Sequence, residues 1–215
     1  QNLKVEFTNQ KLSSYSGLEL FKKYFDQIGL PFRLKQAFSS SNFSGDFTPT
    51  DIILCFVSLW LCGARRLKHI EHLSGDPLVE RISGLKELPS DRTLSRMLKQ
   101  LVRVKIDGLM ALVSNLALEK FKSMGLKTIT LDVDGTVLST GNEVKYAARG
   151  YNPKRRLTKS YYPILCHIAQ TGHFLLVRNR PGNIHDSRHA VSFIREAINQ
   201  VREALPGIKI EVRLD

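Results

Sequence analysis

At 215 residues, 42% of them hydrophobic and 24% charged, the chain carries enough apolar sequence to bury a core and has the composition of neither a disordered tail nor a fibrous repeat. Lys and Arg outnumber Asp and Glu by 32 to 20, with 19 against 12 through Lys127 and 13 against 8 beyond it, so both halves are basic and suit a polyanionic partner better than a small substrate in one cleft. Cys55, Cys62 and Cys166 are an odd number set in apolar runs, the longest run (residues 52–62) is too short to span a bilayer, and no secretory signal is visible, so a reduced cytoplasmic protein without a membrane segment is expected.

Leu18, Phe21, Phe25 and Ile28 recur at helical spacing, and Gly29 followed by Pro31 marks a stop, which predicts an amphipathic helix over 18–28. The stretch SSSNFSGDF at 39–47 reads as a polar loop. Thr48, Pro49 and Asp51 then supply an N-cap, a first-turn proline and an acid at the third helical position. The helix over 49–62 is apolar nearly all round and belongs at the centre of a bundle. Arg65, Arg66 and Lys68 open the next segment as a basic cluster.

Ser90 is a good N-cap for a helix in which Leu94, Leu98, Leu101 and Val102 form the inward stripe. On its other side Arg92, Arg96, Lys99 and Arg103 line up as a row of cations. Such a face meets phosphates in a helix-turn-helix module, and is equally the solvated face of an ordinary helix. His69 with His72, and His185 with His189, have helical spacing but neither a neighbouring cysteine nor a third close histidine, and read as surface or capping side chains.

At Lys127 the hydrophobic period changes from helical to alternating. TITLDVDGTVL is a strand, and PILCHIA and HFLLVRNR form a hairpin around the turn QTG. The next helix carries Ala190, Val191, Ile194, Ile198, Val201 and Leu205 on one face, with Asp186 or Ser187 as its cap and Pro206-Gly207 as its stop. Ile208, Ile210, Val212 and Leu214 alternate in a last strand.

That order places acids. A meander leaves its third strand parallel to its first, and a right-handed helical crossover then lays the fourth strand parallel to both. If the fourth strand takes the free edge beside the first, giving strand order 3-2-1-4, Asp134 and Asp215 become neighbours at two carboxyl ends. Two close carboxylates repel unless a cation lies between them, and hard oxygen donors suit Mg2+, with Mn2+ as a substitute. Between the first two strands, residues 145–159 hold Lys145, Arg149, Lys154, Arg155, Arg156 and Lys159, interleaved with Tyr146 and Tyr151, with Tyr161 and Tyr162 following. Cations there fit a nucleic-acid backbone and tyrosines an unpaired base, the bland alternative being a solvated loop. Gly182, Asn183, His185 and Asp186 precede the helix, as phosphate-facing backbone or as capping.

The successive blocks LDVDGTVL, ARGYNPKRRLTKSYYPILCHIAQTGHFL, RNRPGNIHDSRHAVSFIREA and VRLD resemble those of bacterial insertion-sequence transposases of the DDE group 1 type. The resemblance covers about the last two fifths of the chain well and the helical first half more loosely. It implies an α/β protein with a helical DNA-binding region at 1–126 and the first part of an RNase H-like catalytic domain at 127–215. It also implies cut-and-paste transposition with metal-dependent phosphodiester cleavage and strand transfer, double-stranded DNA as partner, a homodimer in the active complex and a nucleoid-associated location. The family's first catalytic Asp falls on Asp134 and its second on Asp215, with Asp132 as a candidate helper. Arg92, Arg96, Lys99, Arg149, Tyr151, Lys154, Arg155, Arg156 and Lys159 are the candidate DNA contacts. The family's third acid, a Glu on a later helix, has no counterpart before Asp215, so the sequence is expected to be a piece of a longer protein.

Two other readings stand beside this one. DVDGT also fits haloacid-dehalogenase-type phosphatases, with Asp132 as nucleophile and Asp134 as acid/base, although the basic helical sequence ahead of the motif is an odd preface for such an enzyme. The third is a transposase-derived DNA-binding protein without chemistry.

Overall fold

A computed structural model describes residues 9, 11–39, 45–101, 103–141, 144–153 and 155–214. The chain divides into two compact units, Gln1–Leu109 and Met110–Asp215. Helix α6 (Arg103–Lys122) runs through the division, so the sheet's unit takes in helical residues ahead of the period change at Lys127.

The first unit holds α1 (Leu18–Gln27), α2 (Leu30–Ala37), α3 (Pro49–Leu61), a 3-10 helix (Leu67–His72), α4 (Pro77–Ser83) and α5 (Asp91–Gln100). Gly29 ends α1 with a left-handed φ of 63°, and Pro31, placed in the first turn, starts α2 at once. Asp51 N–H donates to the Thr48 hydroxyl at 3.2 Å and Thr48 N–H to the Asp51 carboxylate at 2.8 Å, a reciprocal cap for α3. α3 buries Ile52, Leu54, Cys55, Phe56 and Leu59, and Ser58 is tolerated among them because its hydroxyl donates back to the Leu54 carbonyl.

On α5 the buried side chains are Leu94 and Met97, whereas Leu98 is 39% exposed. The helix packs on the 3-10 helix and α3 along the 94/97 edge. α5 ends at Gln100, and Arg103 opens α6, so the cation row on α5 is Arg92, Arg96 and Lys99. Val102 lies outside the described residues.

The second unit is mixed α/β. β1 (Thr128–Gly135), β5 (Ile164–Ile168), β6 (Phe174–Arg178) and β7 (Lys209–Leu214) form a sheet in the order β6-β5-β1-β7, and β2 (Leu138–Ser139), β3 (Ala148–Arg149) and β4 (Lys159–Tyr161) form a small one in the order β2-β4-β3. β1 is antiparallel to β5 and parallel to β7. Its odd-numbered residues Ile129, Leu131 and Val133 enter a core with Phe121 of α6 and Phe193 of α7 (Ala190–Ala204), which leaves Thr130, Asp132 and Asp134 on the other face.

α7 starts later than its sequence suggests. His189, at φ 63°, precedes it without a side-chain cap, so neither Asp186 nor Ser187 caps it. It buries Phe193, Ala197 and Val201, while Val191 is 68% exposed. Cys55 and Cys166 are buried free thiols, pushed up to about 12 by desolvation, and Cys62 is half-buried. Among the described residues no helix is long and apolar enough to cross a membrane.

Candidate active site

Asp132 and Asp134 share a face of β1 but not an environment. Arg213, opposite Asp132 on β7, donates from Nε to Oδ1 at 2.5 Å and from Nη2 to Oδ2 at 2.7 Å. From the other side His167 of β5 brings Nε2 to 3.3 Å from Oδ2. The hydrogen bonds from Arg213 hold the Asp132 carboxyl below the usual carboxylate range, against a desolvation that opposes them. Asp134, one rung on, is exposed, and its carboxylate accepts the N–H of Gly135 at 2.6 Å. Among the described residues no cation pairs with it, which leaves lone pairs free for another group.

A notch of about 220 Å³ opens at this end of β1, lined by Asp134, Tyr162, Arg180, Asp186 and Leu214 among others. Its walls are built by close approaches. A Cβ on Gly135 would lie 2.6 Å from Cζ and Oη of Tyr162, so the phenol fits only because residue 135 lacks one. Tyr162 is pushed up to about 12, first by its hydrogen bond to Asp186, then by burial and by the charges of Asp186 and Asp134. It therefore keeps its proton.

Arg180 carries the frame. At 4% exposed, it donates from Nε to the Tyr162 carbonyl at 3.0 Å and from Nη1 to the carbonyls of Asp186 and Arg188 at 3.2 and 3.1 Å, with its guanidinium 5.2 Å from the Tyr162 ring centre. One side chain thus ties the end of β6, the approach to β5 and the turn before α7. Within RNRPGN no local period or spacing singles out this arginine. Its signal was a charged residue at the end of an apolar strand directly before Pro-Gly.

A second cavity, of about 420 Å³, shares Tyr162 and Asp186 with the notch and is lined also by Tyr151, Gly182, Asn183 and His185. A Cβ on Gly150 would collide with the Gly182 carbonyl and one on Gly182 with Ser160 and the Ala148 carbonyl, so side chains are excluded at both positions. Arg149, Arg155 and Arg156 are exposed, Tyr151 is 83% exposed, and Lys159 is half-buried in β4. Lys154 and Asp215 lie outside the described residues. Asn152, buried, accepts from Arg155 N–H and donates to the Ser139 hydroxyl, which fixes the basic loop.

In the first unit Arg92, Arg96 and Lys99 are exposed along a groove of about 470 Å³ that Leu67 of the 3-10 helix also lines. Arg65, Arg66 and Lys68 are exposed at the start of that helix. His69 accepts from the Arg65 N–H, and His185 pairs with the Ser187 hydroxyl, so both serve local turns. Among the described residues no group of three or more His, Cys, Asp or Glu could hold a metal ion.

The family profile described as transposase DDE domain group 1 matches residues 1–215. Among curated proteins none matches. Two solved structures align with the chain: a Mos1 transposase paired-end complex with left transposon end, at 10% identity and TM-score 0.26 over 77% of this chain and 52% of that one, and a mariner Mos1 paired end complex with Mg, at 12% identity and TM-score 0.23 over 82% and 58%. The chain spans a little over half the length of those it aligns with.

Proposed function

Because the chain belongs to the transposase DDE domain group 1 family, we propose that it is the DNA-cutting part of a transposase, with an RNase H-like catalytic domain whose metal-holding acids are Asp134 and Asp215. The observation that carries the reading is the parallel register of β1 and β7. It pairs Val133 with Leu214, and the residues that follow these two in the chain are Asp134 and Asp215. Asp134 also offers a hard carboxylate that no described cation neutralises, in an open notch, and that donor chemistry fits Mg2+ or Mn2+. When bound, such ions activate a water or a 3′-hydroxyl and stabilise the leaving oxygen.

The chain's own residues do the rest. Arg149, Lys154, Arg155, Arg156 and Lys159 hold the phosphate backbone of double-stranded DNA near the cleavage point, while Tyr151 offers a face on which an unpaired base stacks. Tyr162, Arg180 and Asp186 keep the notch in shape. Arg92, Arg96 and Lys99 give the helical unit a basic face for the same partner, in a complex of two copies. The phosphatase alternative needs Asp132 as a free nucleophile, and its carboxylate is taken by Arg213.

Nicking of supercoiled plasmid DNA in Mg2+ by the full-length protein tests the reading. Asp134→Asn and Asp215→Asn are each expected to abolish nicking while DNA binding persists, since the amide keeps the shape and loses the charge that holds the ion. Normal nicking by either variant, or an aspartyl-phosphate trapped at Asp132, would overturn it. Binding without nicking by the unaltered protein would leave a DNA-binding protein without chemistry.

A further inference from the structure

β7 stands at the edge of its sheet, beside β1. Its apolar pattern does not fix how far it slides. Ile208, Ile210, Val212 and Leu214 repeat every second residue, as do Ile129, Leu131 and Val133, so a slip of two residues would keep every apolar side chain on the core face. The polar face is not interchangeable in this way. There Thr130 pairs with Glu211 and Asp132 with Arg213. A two-residue slip one way would set Glu211 against Asp132, like charge on like, and would move Arg213 from Asp132 and His167 to the carboxylate of Asp134; the other way would set Arg213 against Thr130.

We propose that Asp132 is a positioning residue: its forked pair with Arg213, braced by His167 from the opposite strand, locks β7 on β1 in the register that decides which residue Asp134 faces. The proposal rests on the reading that Asp134 and Asp215 hold the metal, and it gives the first Asp of DVD a task other than ligand or nucleophile. Arg213 is largely exposed, and an exposed pair adds little to stability. What two planar, two-point partners add is discrimination between registers that are otherwise alike.

The test compares Asp132→Asn, Arg213→Met, Arg213→Lys and the reciprocal exchange D132R/R213D in the full-length protein, reading Mn2+ affinity by electron paramagnetic resonance and plasmid nicking across Mg2+ concentration. DNA binding and a cooperative melt serve as fold controls. Asp132→Asn and Arg213→Met are expected to lose roughly 10- to 100-fold in metal affinity and nicking, the range for partners that act on a metal ligand indirectly. The loss should lie in the metal concentration needed rather than in the saturated rate, and the exchange should regain most of it. Arg213→Lys, which keeps the charge without the fork, serves the same comparison where Met unfolds the strand. An exchange variant that binds DNA and melts cooperatively yet stays as poor as the single variants would overturn the proposal, as would wild-type behaviour of Asp132→Asn and Arg213→Met. Normal nicking by Asp134→Asn would instead remove the metal reading beneath it, whatever the variants at 132 and 213 do.

Discussion

The phenol of Tyr162 lies over Gly135 so closely that an alanine at 135 would place its Cβ 2.6 Å from the ring. The glycine that follows Asp134 is therefore a packing requirement of the notch wall. Gly135→Ala is expected to cost about 1–3 kcal/mol, the usual range for overpacking. In urea titrations the double variant with Tyr162→Leu should cost less than the sum of the two single changes, because the shorter side chain removes the collision. Additive costs would show that the two residues do not meet.

Arg180 satisfies three backbone carbonyls from a buried position. Arg180→Leu would strand them, and a loss of about 2–4 kcal/mol is expected from the unmet hydrogen bonds. Arg180→Lys should recover less than half, since an ammonium cannot reproduce the planar fork or its stacking on Tyr162. Urea midpoints of the three proteins decide this.

Asp132 has a folded-state pKa below its unfolded one. The carboxylate's contribution to stability is then present in full above about pH 4, the ordinary value for Asp, and disappears as pH falls through the depressed folded value. Melting temperatures of the protein and of Asp132→Asn should therefore differ slightly at pH 6, as an exposed pair allows, and converge toward strong acid. A gap that widens on acidification would contradict the pairing with Arg213.

Binding to duplex DNA should weaken steeply with salt, because each neutralised phosphate releases counterions. Replacing Arg92, Arg96 and Lys99 with Ala should reduce the slope of log K against log salt by up to roughly 3, at about 0.9 for each lost contact. An unchanged slope would return the exposed face of α5 to solvent.

Much of the fold was legible because it rests on local patterning. The alternation from Thr128, the turn at Gly172 and the cap at Thr48 each follow from a few neighbouring residues. Other features were hidden for the same reason. β2, β3 and β4 are two or three residues long and carry no period, so the basic stretch at 145–159 read as plain loop. Met97 in place of Leu98, and Phe193 in place of Val191, face inward because the neighbouring elements lie on that side, which spacing within one helix cannot report.

The acids show the same division. Sequence alone determined that two aspartates lie two apart on one face of a strand, since side chains alternate along any strand. It could not say which charges each of them meets. Only the tertiary structure decided that Asp132 meets Arg213 and His167 from the strands on either side while Asp134 stands past them at the open end of the sheet. The physical reason is that a carboxylate's role depends on which charges share its surroundings, and here those charges come from residues 35 and 81 positions further along the chain.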